Sequence, residues 1–148
     1  MIGLIQRVTH ASVVVNHEII GDINTGILLL LGVEKNDNEK SAIRLLERVM
    51  TYRIFEDGTG RMNRSLNDIQ GDLLIVPQFT LAANTNKGTR PSFTPAAEPK
   101  RGKVLFDFFL QHAKTSSLRI QSGQFGADMQ VSLTNDGPIT FWLQTNAS

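Results

Sequence analysis

The stretch Gly26-Ile27-Leu28-Leu29-Leu30-Leu31-Gly32 decides how the chain folds. Its central residues are all apolar, without the alternation of a half-buried strand. Periodicity alone does not separate such a run from a buried helical segment. The bracketing glycines favour a strand buried on both faces, Ile27 to Val33. Toward the N-terminus, Gly3 to Val8, Ser12 to Val15 and Glu18 to Ile23 are short, rich in Val and Ile, and separated by turn residues, so they read as strands. Asn16-His17 closes a hairpin between the last two of these.

Toward the C-terminus the period changes. Ala42, Ile43, Leu46, Val49 and Met50 recur at spacings of three and four, which predicts a helix from about Asn38 to Tyr52, with Asn36, Asp37 and Asn38 as candidate caps. Arg53 to Glu56 reads as a strand ended by Asp57-Gly58, Arg61 to Ser65 as a loop, and Asp72 to Val76 as the next strand. Ala82 to Pro95 is a long polar surface loop, the kind of segment that carries function. Pro99 opens a second helix to about Lys114, with Val104, Leu105, Phe108, Phe109 and His112 expected on its apolar face. Met129 to Leu133 and Ile139 to Leu143 read as two strands joined at Asn135-Asp136-Gly137-Pro138.

At 148 residues, with 41% hydrophobic and 20% charged residues, the chain has ordinary globular composition, which excludes a disordered or collagen-like protein. One domain over 1–148 is expected, as no repeat or linker divides it. There is no cysteine, so disulfides, thiolate metal sites and thiol nucleophiles are excluded together. The longest apolar run is far shorter than the roughly 20 residues of a membrane helix, and Met1 is not followed by a basic and then a long apolar stretch. A cytoplasmic protein without a membrane partner is expected.

The net charge of +1 provides no global field for nucleic acid. Lys87, Arg90, Lys100, Arg101 and Lys103, however, face only Glu98 between residues 87 and 103, a local +4 that leaves −3 for the rest. Such a patch is either a solvated surface or the footprint of a phosphate backbone, and it fits the end of a tRNA. His10, His17 and His112 lack a nearby His or carboxylate at ligand spacing, so each is read as structural or superficial, and no metal is expected. Glu56 and Asp57 are adjacent on a strand and point to opposite faces, which argues against a shared acid–base site. Turn chemistry accounts for Asp57 and Asp136. Gln78-Phe79-Thr80-Leu81 follows a strand and precedes the long loop, a position where hydroxyls and backbone amides meet ligands.

Here the sequence resembles the D-aminoacyl-tRNA deacylase family over almost its whole length. Beside Gln78-Phe79-Thr80-Leu81 and Asn135-Asp136-Gly137-Pro138-Ile139-Thr140, the pattern includes Ile5-Gln6-Arg7-Val8, Arg53-Ile54-Phe55, Met62-Asn63, Lys87-Gly88-Thr89-Arg90-Pro91-Ser92-Phe93 and Gly123 to Met129. The resemblance implies an α+β fold, one compact domain with a barrel-like sheet and two main helices, in a homodimer whose active site lies at the subunit interface. It implies hydrolysis of D-aminoacyl-tRNA, and of glycyl-tRNA, without cofactor and without a DNA partner. A pocket with room only for hydrogen on one side of Cα accepts D and glycyl groups and excludes L side chains.

By the same resemblance Gly137-Pro138 supplies that exclusion through a cis peptide reaching into the neighbouring subunit, and Arg7 holds it. Phe79, Thr80 and Leu81 line the pocket with their backbone, Gln78 lies at its polar edge, and Phe125 and Met129 lie near the terminal adenosine. A Thr80 nucleophile requires a base that the sequence does not offer, whereas assistance by the tRNA 2′-OH does not. Two departures stand out: Pro77 where the family usually has Ser, and Asn84 where Asp is usual. Two other readings compete: a silent homologue that binds RNA without turnover, and a hydrolase of another small ester that uses Thr80 and Ser92.

Overall fold

In the computed structural model, which describes residues 1–147, the chain runs β1 (Ile2–Val15), β2 (Glu18–Ile23), β3 (Gly26–Gly32), α1 (Glu39–Thr51), β4 (Phe55–Glu56), β5 (Met62–Arg64), α2 (Leu66–Ile69), β6 (Asp72–Pro77), a 3-10 turn (Phe79–Ala82), α3 (Pro99–Ala113), β7 (Ile120–Ser122) and β8 (Gln130–Gln144). The apolar run is the central strand β3, antiparallel to β1 and parallel to β6. Successive side chains on a strand face opposite ways, so β3 feeds two cores. Ile27, Leu29 and Leu31 enter a core built with α1 and α3. Leu28 enters a second one with Val8, Ala11, Val13, Ile23, Leu74 and Val76, enclosed by the curl of the sheet.

The curl follows from how β1 is shared. Its first half pairs with β3, its second half with β2, and its other edge with β8 along nearly its full length. Beyond β3 the sheet continues through β6 to β7. A Cβ on Gly21 of β2 would stand 3.0 Å from both Leu74 Cδ1 of β6 and the carbonyl oxygen of Ser122 in β7. Arg119 Nη1 also donates to Asp22 O at 2.7 Å, so the sheet nearly closes into a barrel. The result is one α+β domain with a barrel-like sheet and two main helices. Among the described residues no helix is long and apolar enough to cross a membrane.

Several sequence expectations change. Gly3–Val8 and Ser12–Val15 are one strand, because an irregularity at Thr9-His10 shifts the register against β8 without ending the ladder. That shift moves the inward parity from Val8 to Ala11 and Val13. Arg61–Ser65 is not a loop: Met62–Arg64 pairs with Phe55–Glu56 in a short hairpin. Most consequentially, the expected strands at Met129–Leu133 and Ile139–Leu143 merge into a single strand, β8, which begins at Gln130, and Gly137-Pro138 is a bulge within it rather than a hairpin turn.

α1 is capped as expected: Asn38 Oδ1 accepts from Ser41 N at 3.0 Å while Ser41 Oγ accepts from Asn38 N at 3.0 Å. On α3 the buried stripe is Gly102, Leu105, Phe106, Phe109 and Ala113, not the expected one. Both stripes share Leu105 and Phe109. Phe106, whose ring lies 6.0 Å from that of Phe125, selects the buried stripe and leaves Val104 and His112 exposed.

Candidate active site

The C-terminal ends of the parallel strands β3 and β6 open into a cavity of about 870 Å³. Leu31, Val33, Val76 and Pro77 contribute its strand side, and Pro99, Gly102 and Phe106 its helical side. Phe79 and Phe93 line it as a pair, ring centroids 5.3 Å apart, although Phe79 is 60% exposed. Of the residues expected around the substrate, Gln78, Phe79, Phe125 and Met129 meet in this lining. Phe93, Thr94 and Lys35 join them; charge counting passed over Lys35, which stands outside the 87–103 segment.

The chain reaches the site through a tight passage. Gln78 N donates to Leu31 O at 2.8 Å, carrying the pairing with β3 one residue past β6, and the backbone then turns into the 3-10 segment. Gly32 permits this approach, since a Cβ there would lie 3.0 Å from Leu81 Cβ and 3.2 Å from Gln78 O. The amides of Phe79 and Thr80 stand in the first turn, where no preceding turn supplies acceptors. Thr80 Oγ1 accepts a hydrogen bond from Gln78 Nε2, and among the described residues no histidine or carboxylate bonds to it. Thr80 and Leu81 lie beside the cavity rather than in its lining.

Arg7, Gly137 and Pro138 are not in the lining either. Between the pairs Gln6↔Thr140 and Val8↔Asn135, Arg7 alone opposes Asp136 to Ile139, so four residues of β8 bulge out at one position of β1. Arg7, only 8% exposed, ties this bulge down: Nε donates to Asp136 O at 3.1 Å and Nη1 to Ile54 O at 2.8 Å. Asn135 staples its base, accepting from Ile139 N at 3.1 Å and donating to Thr140 Oγ1 at 2.9 Å. The Gly137–Pro138 peptide bond is cis. Asp136 is therefore a partner of Arg7, with Oδ2 3.4 Å from Nε, and not merely a turn former. From Val131 in the cavity wall to Gly137 the strand spans roughly 15–20 Å.

The other polar candidates belong neither to the cavity lining nor to the bulge. His10 pairs with Asp22 across the β1–β2 hairpin at 2.7 Å, a partner that sequence spacing did not reveal; His17 occupies the hairpin turn at φ 66°, and the His112 ring stacks on Phe108. The Asp57 carboxyl is held below its usual range, first by the Thr59 hydroxyl and amide and then by the Arg61 amide, which makes it a turn anchor rather than a general acid. Lys87 and Arg90 are exposed on a loop pinned by the Asn84↔Ser92 bridge, and Lys100 and Arg101 are exposed on the first turn of α3. Lys103 departs from the expected patch of free cations, because it pairs with Asp107 at 2.7 Å.

Residues 4–144 match the family described as D-Tyr-tRNA(Tyr) deacylase. Proteins named D-aminoacyl-tRNA deacylase from Pseudoalteromonas atlantica and Herminiimonas arsenicoxydans are 58% and 57% identical to this chain, over 97% of it and over 99% and 97% of their own lengths. The chain belongs to the D-Tyr-tRNA(Tyr) deacylase family. Membership makes it an enzyme, a hydrolase. Among solved structures, one described as c-Myc DNA Unwinding Element Binding Protein superposes with a TM-score of 0.94 at 38% identity, covering 99% of this chain and 100% of that one. Another, described as a probable eukaryotic D-amino acid tRNA deacylase, gives 0.85 at 17% identity over 97% and 98%, a likeness of fold.

Within this deacylase scaffold both departures have a local account. Along β6, Asp72 and Gln78 donate toward β3's side of the ladder, whereas Leu73 donates to Arg119 O on the β7 side. Alternation aims position 77 at Gly123, just past β7, whose amide still donates to Ile75 O at 2.9 Å, so Pro77 ends the β6–β7 ladder at that rung. Asn84 keeps the turn-forming role of an Asp, its Oδ1 accepting from Asn86 N at 2.9 Å.

Proposed function

We propose that the chain hydrolyses the ester joining a D-amino acid, or glycine, to the 3′ end of tRNA, and that two copies form each working site. The separation between the cavity and the Arg7-held bulge carries this reading. A single chain keeps its candidate pocket and its candidate gate roughly 15–20 Å apart along one strand. A second copy, approaching through β8, brings Gly137-Pro138 of one subunit to the Gln78–Thr80 turn of the other. Trp142, 53% exposed, and Leu133, 36% exposed, supply apolar surface on that strand.

In this site water's oxygen bonds to the ester carbonyl carbon, the bond to the ribose 3′-oxygen breaks, and that oxygen leaves with a proton. The amides of Phe79 and Thr80 stabilise the negative charge on the carbonyl oxygen. The 2′-OH of the terminal ribose orients the water, because the Thr80 hydroxyl is bonded by Gln78 and, among the described residues, has no base to activate it. Gly137-Pro138 occupies the side of Cα where an L side chain would project, so selection is steric. Phe125 and Met129 receive the terminal adenosine, and Lys87, Arg90, Lys100, Arg101 and Lys103 hold RNA phosphates, Lys103 more weakly since it must share Asp107. The reaction belongs to the cytoplasm.

The test is release of tyrosine from D-Tyr-tRNA and L-Tyr-tRNA by purified protein beside a no-enzyme control. Rapid loss of the D ester alone is the expected result, with glycyl-tRNA also cleaved. Binding of the tRNA with neither ester lost would replace this reading with that of a silent RNA-binding homologue.

A further inference from the structure

The cavity lining is apolar apart from a few side chains, and only one of these is a cation, Lys35. It stands just beyond β3, and its backbone is fastened to the rim: Lys35 N donates to Pro95 O at 3.0 Å, and Glu34 bridges to Ala96. Its ammonium forms no ion pair among the described residues, and Glu98, the one acidic residue of the lining, is not within salt-bridge reach of it. The five cations of the 87–103 segment are all outside the lining, and Lys103 is already paired. Lys35 is exposed, as Lys100 and Arg101 are, and what sets it apart from them is its place in the cavity lining with Val33, Phe93, Ala96 and Ala97.

We propose that Lys35 grips the phosphate on the 5′ side of the terminal nucleoside, an inference that rests on the reading of this cavity as the place of that nucleoside. With base and ribose inside and the aminoacyl ester directed to the Gln78–Thr80 turn, the chain leaves through the mouth by its 5′-phosphate. Lys35 is a positioning residue there: it acts on the phosphate, not on the reacting carbonyl. It makes the site measure a nucleotide rather than a nucleoside.

The probes are adenosine and adenosine 5′-monophosphate, titrated calorimetrically into wild type, Lys35→Ala and Lys35→Arg. Wild type should bind the monophosphate about five- to tenfold more tightly than adenosine, the range of one charge-assisted contact, with the ratio shrinking as salt rises. In Lys35→Ala the ratio should fall to about one with adenosine affinity unchanged, and Lys35→Arg should restore it. On D-Tyr-tRNA, Lys35→Ala should raise KM and leave kcat in place. Adenosine binding with no phosphate advantage, or an advantage that survives Lys35→Ala, overturns the inference while leaving the deacylase reading intact. Absence of binding by either probe removes the nucleoside from the cavity and the inference with it, and D-Tyr-tRNA hydrolysis then reports separately on the activity.

Discussion

Arg7 is 8% exposed and spans two backbone carbonyls from distant parts of the chain, whereas Phe79 at the cavity is 60% exposed and makes its ring contact with Phe93. The bulge on β8 is thus fixed by hydrogen bonds at its start, from the buried Arg7, and at its base, from Asn135. At the cavity rim the Phe79 side chain is held by its ring contact with Phe93. A group that must exclude a side chain by its volume has to be rigid, since a yielding wall discriminates weakly. A surface that must receive and release a flexible RNA end benefits from the opposite property.

This contrast can be broken at its strongest point. Arg7→Ala leaves Asp136 O and Ile54 O without their donor, and stability measured by urea unfolding should fall by about 2–4 kcal/mol. At temperatures where the variant is folded, D-over-L selectivity on Tyr-tRNA should collapse more than D-Tyr-tRNA binding; unchanged selectivity would remove Arg7 from the gate. Asn135→Ala removes the staple at the base of the bulge and should cost about 1–2 kcal/mol, with a smaller loss of selectivity in the same assay.

On the cavity side the balance reverses. Phe79→Ala should alter the unfolding midpoint little, as an exposed ring buries little area, yet lower kcat/KM for D-Tyr-tRNA about tenfold, or about 1.4 kcal/mol. A large stability loss with unaltered kinetics would mean that the rim is structural and the contrast false. Thr80→Ala sharpens the same point at the smallest scale. With its backbone amide retained it should keep its rate within about threefold, far from the 10²–10⁴ of a lost proton-transfer group. If turnover vanished in Thr80→Ala and returned in Thr80→Ser, the hydroxyl would be the nucleophile.

Much of this was legible in the residues. The glycine-bracketed run Ile27–Leu31, the Asn38 cap, Pro99 at the first turn of α3 and the Asn16-His17 turn are local signals, and each marks an element within a residue or two of where it stands. The placing of Gln78 and Phe79 in the lining of a cavity also followed from order along the chain, strand end before polar loop. Less legible was β8. Gly-Pro after Asn-Asp carries every mark of a hairpin turn, and only the unbroken partner edge of β1 makes it a bulge. Lys35 was silent because its meaning comes from Pro95 and Ala96, sixty residues on.

The central strand, the two helices, the absence of thiol chemistry and the charge of the 87–103 segment can be read from the residues alone, because each depends on neighbours in the chain or on composition. The tertiary structure decided which stripe of α3 is buried, that Arg7 faces a bulge rather than solvent, and that the cavity and the bulge stand apart in one chain. Those facts depend on pairing partners far apart in sequence, and a strand's partner, unlike its period, is not written in the strand itself.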